Sequence, residues 1–186
     1  MKESYEIEVA GLTRQLPIFK INESISIAAF ILFGDVELTV KCAEELLKKV
    51  PKHDIMITAE AKSIGLIHEM ARQSGVNSYV IARKAPKVYM RNVMTVPVKS
   101  ITTAKEQILC LGEDEVKLLK GKRVLIVDDV ISTGESLAAL EKVVVEAGGI
   151  IAGKAAVLAE GDAINREDIA VLAPLPLFDS EGNPIE

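Results

Sequence analysis

The chain has no tryptophan, and aromatic residues make up 4% of its 186 positions. Stacking platforms for single-stranded nucleic acid are therefore scarce. Positive charge is not in excess either: 22 Lys and Arg stand against 27 Asp and Glu, a net charge of −5. Without a cationic field to hold a phosphodiester backbone, nucleic acid is not expected as a partner. Cysteine is equally sparse. Cys42 and Cys110 lie far apart and form no Cys-x-x-Cys pair, which reads as two reduced thiols of an intracellular protein. The apolar stretch from Ile27 to Phe33 falls well short of the roughly 20 residues of a membrane span, and Met1-Lys2-Glu3-Ser4-Tyr5 lacks the apolar region of a secretory signal. The expectation is a cytoplasmic protein with no membrane partner. No Gly-x-x-x-x-Gly-Lys-Ser/Thr loop occurs, so a P-loop nucleotide hydrolase is excluded.

What is present alternates between helix and strand, with no repeat or linker to divide a single domain spanning 1–186. Val36, Val40, Ala43, Leu46, Leu47 and Val50 recur at helical spacing behind Asp35 as cap, with Lys48 and Lys49 at the far end and Pro51 as stop. An apolar strand over 54–59, a helix over 63–74 closed by Gly75, and a strand over 78–82 follow. The order repeats with a strand over 123–127, a helix over 134–147 and a strand over 150–158. Such units predict an α/β fold, a twisted parallel sheet with helices on both faces, which binds ligands beyond the carboxyl ends of its strands. Between the halves, Lys84 to Lys122 reads as an extended hairpin rather than a helix, long enough to be a lid over about 85–110. Pro174 and Pro176 keep the tail from being a central strand, leaving 173–186 as a partly extended cover.

The segment Val124-Leu-Ile-Val-Asp-Asp-Val-Ile-Ser-Thr-Gly-Glu-Ser136 carries the chemistry. Four apolar residues end in two carboxylates, and a Ser-Thr-Gly turn opens the next helix. Free N–H groups at a helix start, a glycine allowing close approach, and the hydroxyls of Ser132, Thr133 and Ser136 make a phosphate cradle. Asp128 and Asp129 suit vicinal sugar hydroxyls, directly or through a divalent cation that prefers hard oxygen ligands. Ser132-x-x-Glu135 also reads as a capping box. That explains the cap but not two adjacent carboxylates on a buried strand, which repel unless cations or donors satisfy them. Glu135 is expected to turn its side chain away from an anion and offer only its N–H.

These thirteen residues resemble the 5-phosphoribosyl 1-diphosphate (PRPP) signature of the type I phosphoribosyltransferase family, and the chain as a whole resembles its adenine and xanthine branch. The resemblance implies that Asp128 and Asp129 contact the ribose and that Ile131, Ser132, Thr133, Gly134, Glu135 and Ser136 wrap the 5-phosphate. It also implies a Rossmann-like core under a hood formed by about 1–35 and 173–186. Thr58-Ala-Glu-Ala-Lys-Ser-Ile-Gly65 is similar to the family's diphosphate loop, with Lys62-Ser63 where Arg-Gly is usual. Glu60, Ala61, Lys62 and Ser63 are then diphosphate contacts, joined by Arg83 and Lys84, although a lysine lacks the bidentate fork of arginine. The implied partners are PRPP and a purine base, the cofactor is Mg²⁺ held with PRPP and by Asp128 or Asp129, and a homodimer is expected. The implied activity is purine salvage, forming a nucleoside 5′-monophosphate and diphosphate, with adenine as the base. Xanthine or another 6-oxopurine is the alternative substrate, and a non-catalytic PRPP-binding regulator the alternative of another class.

The chain departs from that branch at the lid, where Val98-Lys-Ser-Ile-Thr-Thr-Ala-Lys-Glu-Gln107 replaces a sequence with an acidic residue near the base. Lys105 and Glu106 are the catalytic candidates there, with Lys87, Arg91 and Lys99 adding positive charge. The hood segment Ser26-Ile-Ala-Ala-Phe-Ile-Leu-Phe-Gly-Asp35 departs as well, so base contacts are assigned by shape alone. Phe30, Phe33, Leu175 and Phe178 are the apolar faces available for a flat purine.

Overall fold

Residues 2–98 and 107–185 are described by the structure, a computed structural model. Ile7 and Val9 alternate with Glu6 and Glu8, as Leu16 and Ile18 do with Gln15 and Pro17, so one face of each strand is apolar. β1 (Ser4–Val9) and β2 (Leu12–Lys20) accordingly form an antiparallel hairpin. Its two-residue turn, Ala10-Gly11, has φ of 53° and 76°, as a tight hairpin turn requires. β3 (Ser26–Ala28) pairs back on β2.

α1 (Val36–Lys49) begins where expected: Asp35 caps it by accepting the Leu38 N–H, and Lys48 and Lys49 close it. Its buried line is Leu38, Cys42, Ala43 and Leu46. Val36, expected on that line, is 72% exposed because the three- and four-residue steps to the core run from Leu38, not from Val36. Arg14 on β2 reaches Asp35 at 2.7 Å, pinning the hairpin to the start of α1.

β4 (Ile55–Ala59), α2 (Ile64–Ser74) and β5 (Val80–Ala82) complete the first half, with Gly75 at φ 73° ending α2. The excursion then forms a two-stranded antiparallel hairpin, β6 (Met94–Val98) and β7 (Gln107–Leu111). It is not hairpin throughout. Glu113–Leu119 is helix α3, whose start is marked by Glu113, Asp114 and Glu115 in its first turn, acidic residues that complement the positive end of a helix.

The second half is β8 (Arg123–Ile131), α4 (Glu135–Glu146), β9 (Ile150–Glu160) and β10 (Ala170–Leu175). β8 runs four residues past its expected end at Val127, because Asp128, Val130 and Ile131 continue to pair with Ala156, Leu158 and Ala159 of β9. Both aspartates therefore sit within a strand. The parallel sheet has the order β10-β9-β8-β4-β5, as an α/β fold demands. Leu125 and Val127 face α1, α2 and the hood, while Val124 and Ile126 face α4 and the β6–β7 hairpin. Pro174 lies in the edge strand β10, where its missing N–H costs no ladder bond to a further strand. Residues 173–175, expected in the cover, thus belong to the main sheet. β11 (Leu177–Phe178) and β12 (Pro184–Ile185) extend the N-terminal strands into an antiparallel hood ordered β1-β2-β3-β11-β12.

Cys42 and Cys110 are free and buried, and burial pushes the Cys42 thiol up to about 12. Among the described residues no helix is long and apolar enough to cross a membrane. Ile126, fully buried in the middle strand, bears on both strand neighbours. Ile126→Ala is expected to lower unfolding free energy by about 2–5 kcal/mol, read as a lower urea midpoint at an unchanged slope.

Candidate functional site

β4 and β8 are adjacent and in register from Ile55–Val124 to Ile57–Ile126. The loop after β4 and the end of β8 therefore emerge side by side at the carboxyl edge of the sheet. Ser63, at the start of α2, donates its hydroxyl hydrogen to Asp128 Oδ1 at 2.8 Å and lies 3.4 Å from Asp129 Oδ1. Lys62 Nζ lies 2.8 Å from Asp129 Oδ2. That oxygen is enclosed and accepts no hydrogen bond, so the ammonium approaches it as a charge and not along a hydrogen-bonding direction. Asp129 is 2% exposed, and its N–H donates to Asp128 Oδ1 at 2.9 Å. Burial, with the Asp129 charge behind it, pushes the Asp128 carboxyl up to about 7, against the pull of the Ser63 hydrogen bond.

A cavity of about 150 Å³ collects both aspartates with Glu60, Ala61, Lys62 and Lys84. Five of the six residues expected at the diphosphate are thus brought to the aspartates, Ser63 by its hydrogen bond. Arg83 does not line this cavity itself but is held on Glu60, which does. Its guanidinium binds Glu60 Oε1 at 3.1 Å and the Tyr89 hydroxyl at 2.9 Å. The Lys84 N–H on Glu60 Oε2, with Lys87 and Arg83 behind it, outweighs burial and holds the Glu60 carboxyl below its ordinary value.

A second cavity, of about 110 Å³, is formed by Asp128 and 130–137. Gly134 is the N-cap of α4 at φ 80° and has no side chain to cap it, while the Glu135 N–H makes only a long 3.5 Å contact to Thr133 Oγ1. The Ser132–Glu135 capping box therefore does not form; the N–H groups of Glu135, Ser136 and Leu137 precede the first intrahelical bond, Ala138 N–H to Gly134 O at 2.8 Å. Glu135 makes no ion pair among the described residues. Ile131 buries its side chain in the core, leaving its backbone to the cavity.

The apolar candidates for a base separate. Phe30, Leu175 and Phe178 are 4%, 1% and 0% exposed, and Phe178 packs edge-on against Tyr5, so none offers a free face for stacking. Phe33 is exposed and lines a different cleft of about 220 Å³ with Val36, Thr39, Lys62 and His68. Lys99, Lys105 and Glu106 lie outside the described residues. Two residues escaped the sequence reading. Glu160, a largely buried carboxylate at the end of β9, repeats the strand-end pattern of β8. Arg166 approaches Gly134, and its distance in sequence hid it.

Residues 38–172 match the family described as phosphoribosyl transferase domain. The chain belongs to this family. It is 36% identical over 115 residues to the adenine phosphoribosyltransferase of Cenarchaeum symbiosum (strain A), covering 61% of this chain and 64% of that one. It is 34% identical over 128 residues to the hypoxanthine/guanine phosphoribosyltransferase of Methanotorris igneus, covering 68% and 66%. The matched stretches span 49%, 65% and 64% of the length of three curated relatives, the Cenarchaeum symbiosum protein being the last of them. Among solved structures, adenine phosphoribosyltransferase from Thermoanaerobacter pseudethanolicus superposes with a TM-score of 0.65 at 25% identity, covering 77% of this chain and 84% of that one. The Rhodothermus marinus protein of the same name shares the fold over 93% and 94% of the two chains, with a TM-score of 0.66 at 20% identity.

The raised Asp128 carboxyl has a consequence for stability. Asp128 holds its proton more tightly folded than unfolded, so its contribution is complete below the ordinary carboxylate value and is lost as pH rises toward about 7. Asp128→Asn, which mimics the protonated form, is expected to gain on the unaltered protein between about pH 4 and about pH 7 in urea unfolding. Parallel pH profiles would show that the pair carries no such strain.

Proposed function

We propose that this protein is a purine phosphoribosyltransferase of the adenine type, working in base salvage in the cytoplasm. The carrying observation is that the two cavities share Asp128, Val130 and Ser136. One suits a monoester phosphate, the other a diphosphate, and the carboxylates between them suit a sugar: together they match the three parts of PRPP. The names of the adenine-specific relatives and neighbours support adenine as the base.

In this reading the N–H groups of 132–137 hold the 5-phosphate. Asp128 and Asp129 accept the ribose hydroxyls, and Lys62 and Lys84 face the diphosphate. The anomeric C–O bond breaks as a ring nitrogen of the base attacks that carbon; diphosphate leaves with the bonding pair and the base gives up a proton. Charge develops on the ring and the leaving group, so the residues act by positioning and electrostatics. The strands of the β6–β7 hairpin are not themselves the lid expected over about 85–110, because Val96, Leu109 and Leu111 are buried against α4 and the sheet. Among the described residues no three His, Cys, Asp or Glu side chains converge into a metal cage. Two adjacent carboxylates lining one cavity supply the hard oxygen ligands that fit Mg²⁺ held mainly by substrate phosphates, with Asp128 the more open of the two because Lys62 already faces Asp129 Oδ2. Bound there, it would neutralise diphosphate charge. The exposed Phe33 and Val36 beside Lys62 support a homodimer packed next to the diphosphate cations.

Incubation with PRPP, Mg²⁺ and adenine, hypoxanthine, guanine, xanthine or orotate should release diphosphate with adenine fastest. Tight PRPP binding without release on any base would identify a regulator instead. Asp128→Asn combined with Asp129→Asn should weaken PRPP binding at least about tenfold; retained affinity would remove the site from this position.

A further inference from the structure

The proposed phosphate cradle is short of positive charge. Residues 128–136 contain Asp128, Asp129 and Glu135 and no Lys or Arg, whereas a phosphate monoester carries about −1.5 to −2 at pH 7. The helix start offsets only about half a unit. A cation from a remote segment lies beside it. Arg166, just after the turn Gly161–Asn165 that follows β9, brings Nη1 to 3.0 Å from where a Cβ on Gly134 would stand.

The guanidinium is held in one orientation. Asp168 accepts Nε at 2.9 Å and Nη2 at 2.8 Å, a two-point fork that fixes the plane. Lys154 on β9 hydrogen-bonds the same Asp168 and also Glu141 on α4, tying the fork to the helix whose start forms the cradle. With Nε and Nη2 occupied, Nη1 remains, and it donates to no partner among the described residues. Its neighbour Gly134 is both the N-cap of α4 and part of the cavity lining.

We propose that Arg166 is a binding residue for the 5-phosphate of the substrate, donating from Nη1 across Gly134, with Asp168 as the positioning residue that aims it. This rests on the phosphoribosyl reading of the site. Asp168 offsets part of the guanidinium charge, so the contribution of Arg166 is a directed, charge-assisted donor that the cradle's own residues lack, and the fork leaves the Nη1 edge for the anion.

Calorimetric titration with ribose 5-phosphate and, separately, with inorganic diphosphate tests it. Arg166→Gln should raise the Kd for ribose 5-phosphate about tenfold or more and leave that for diphosphate unchanged. Arg166→Lys should recover part of the loss, and Asp168→Asn should weaken ribose 5-phosphate by a smaller factor. In turnover, KM for PRPP should rise more than kcat falls. A folded Arg166→Gln variant, or Arg166→Lys and Asp168→Asn together if the first does not fold, that binds ribose 5-phosphate within about twofold of the unaltered protein overturns the proposal. Failure of the unaltered protein to bind ribose 5-phosphate would overturn the phosphoribosyl reading itself.

Discussion

Two carboxylates side by side in a buried strand are tolerable only if something outside that strand meets their charge. In this protein the loop after β4 does so, with the Lys62 ammonium against Asp129 and the Ser63 hydroxyl on Asp128. Burial, and then the neighbouring Asp129 charge, disfavours the ionised form of Asp128, which is why Asp128 shifts upward. The arrangement stores the capacity to accept new donors or a cation. Everything the site does depends on β4 and β8 being neighbours, because that adjacency alone brings the two loops within hydrogen-bond reach.

The remaining architecture protects that adjacency. α1 and α2 cover one face and α4 with the β6–β7 hairpin the other, so β8 is apolar on both sides up to Val127 and becomes polar only where it emerges at the edge. The hood is held down by Arg14 on Asp35, which at the same time caps α1. On the far side of the cradle, the Glu141–Lys154–Asp168–Arg166 chain joins α4, β9 and the segment before β10. Such networks fix orientation more than they stabilise, since exposed ion pairs contribute little each.

Legibility in the sequence followed the range of the forces involved. Helix caps and stops at Asp35, Pro51 and Gly75 depend on neighbouring residues, and they are read correctly. The placement of Asp128, Asp129 and the Ser-Thr-Gly turn between a strand and a helix is legible for the same reason, since its parts are all local. The end of β8 was misplaced because its last residues are strand only through pairing with β9. α3 was missed although its acidic first turn signals it. Phe30, Leu175 and Phe178 were offered to a base because an apolar side chain looks the same in sequence whether it lines a site or fills a core; packing put all three in the interior.

By itself the sequence determined the strand-helix order, the parallel sheet and the Ser-Thr-Gly turn that follows the two aspartates, since periodicity, caps and a contiguous motif are short-range properties. Only the tertiary structure decided that Lys62 and Ser63 serve the aspartates while Arg83 is drawn to Glu60 and Tyr89. It alone replaced a capping box by a glycine N-cap, and set Arg166 against Gly134. Those outcomes depend on which strands are neighbours and which charges meet. Residues 62 and 129, or 134 and 166, share no local signal, and their distances exist only once the sheet has assembled.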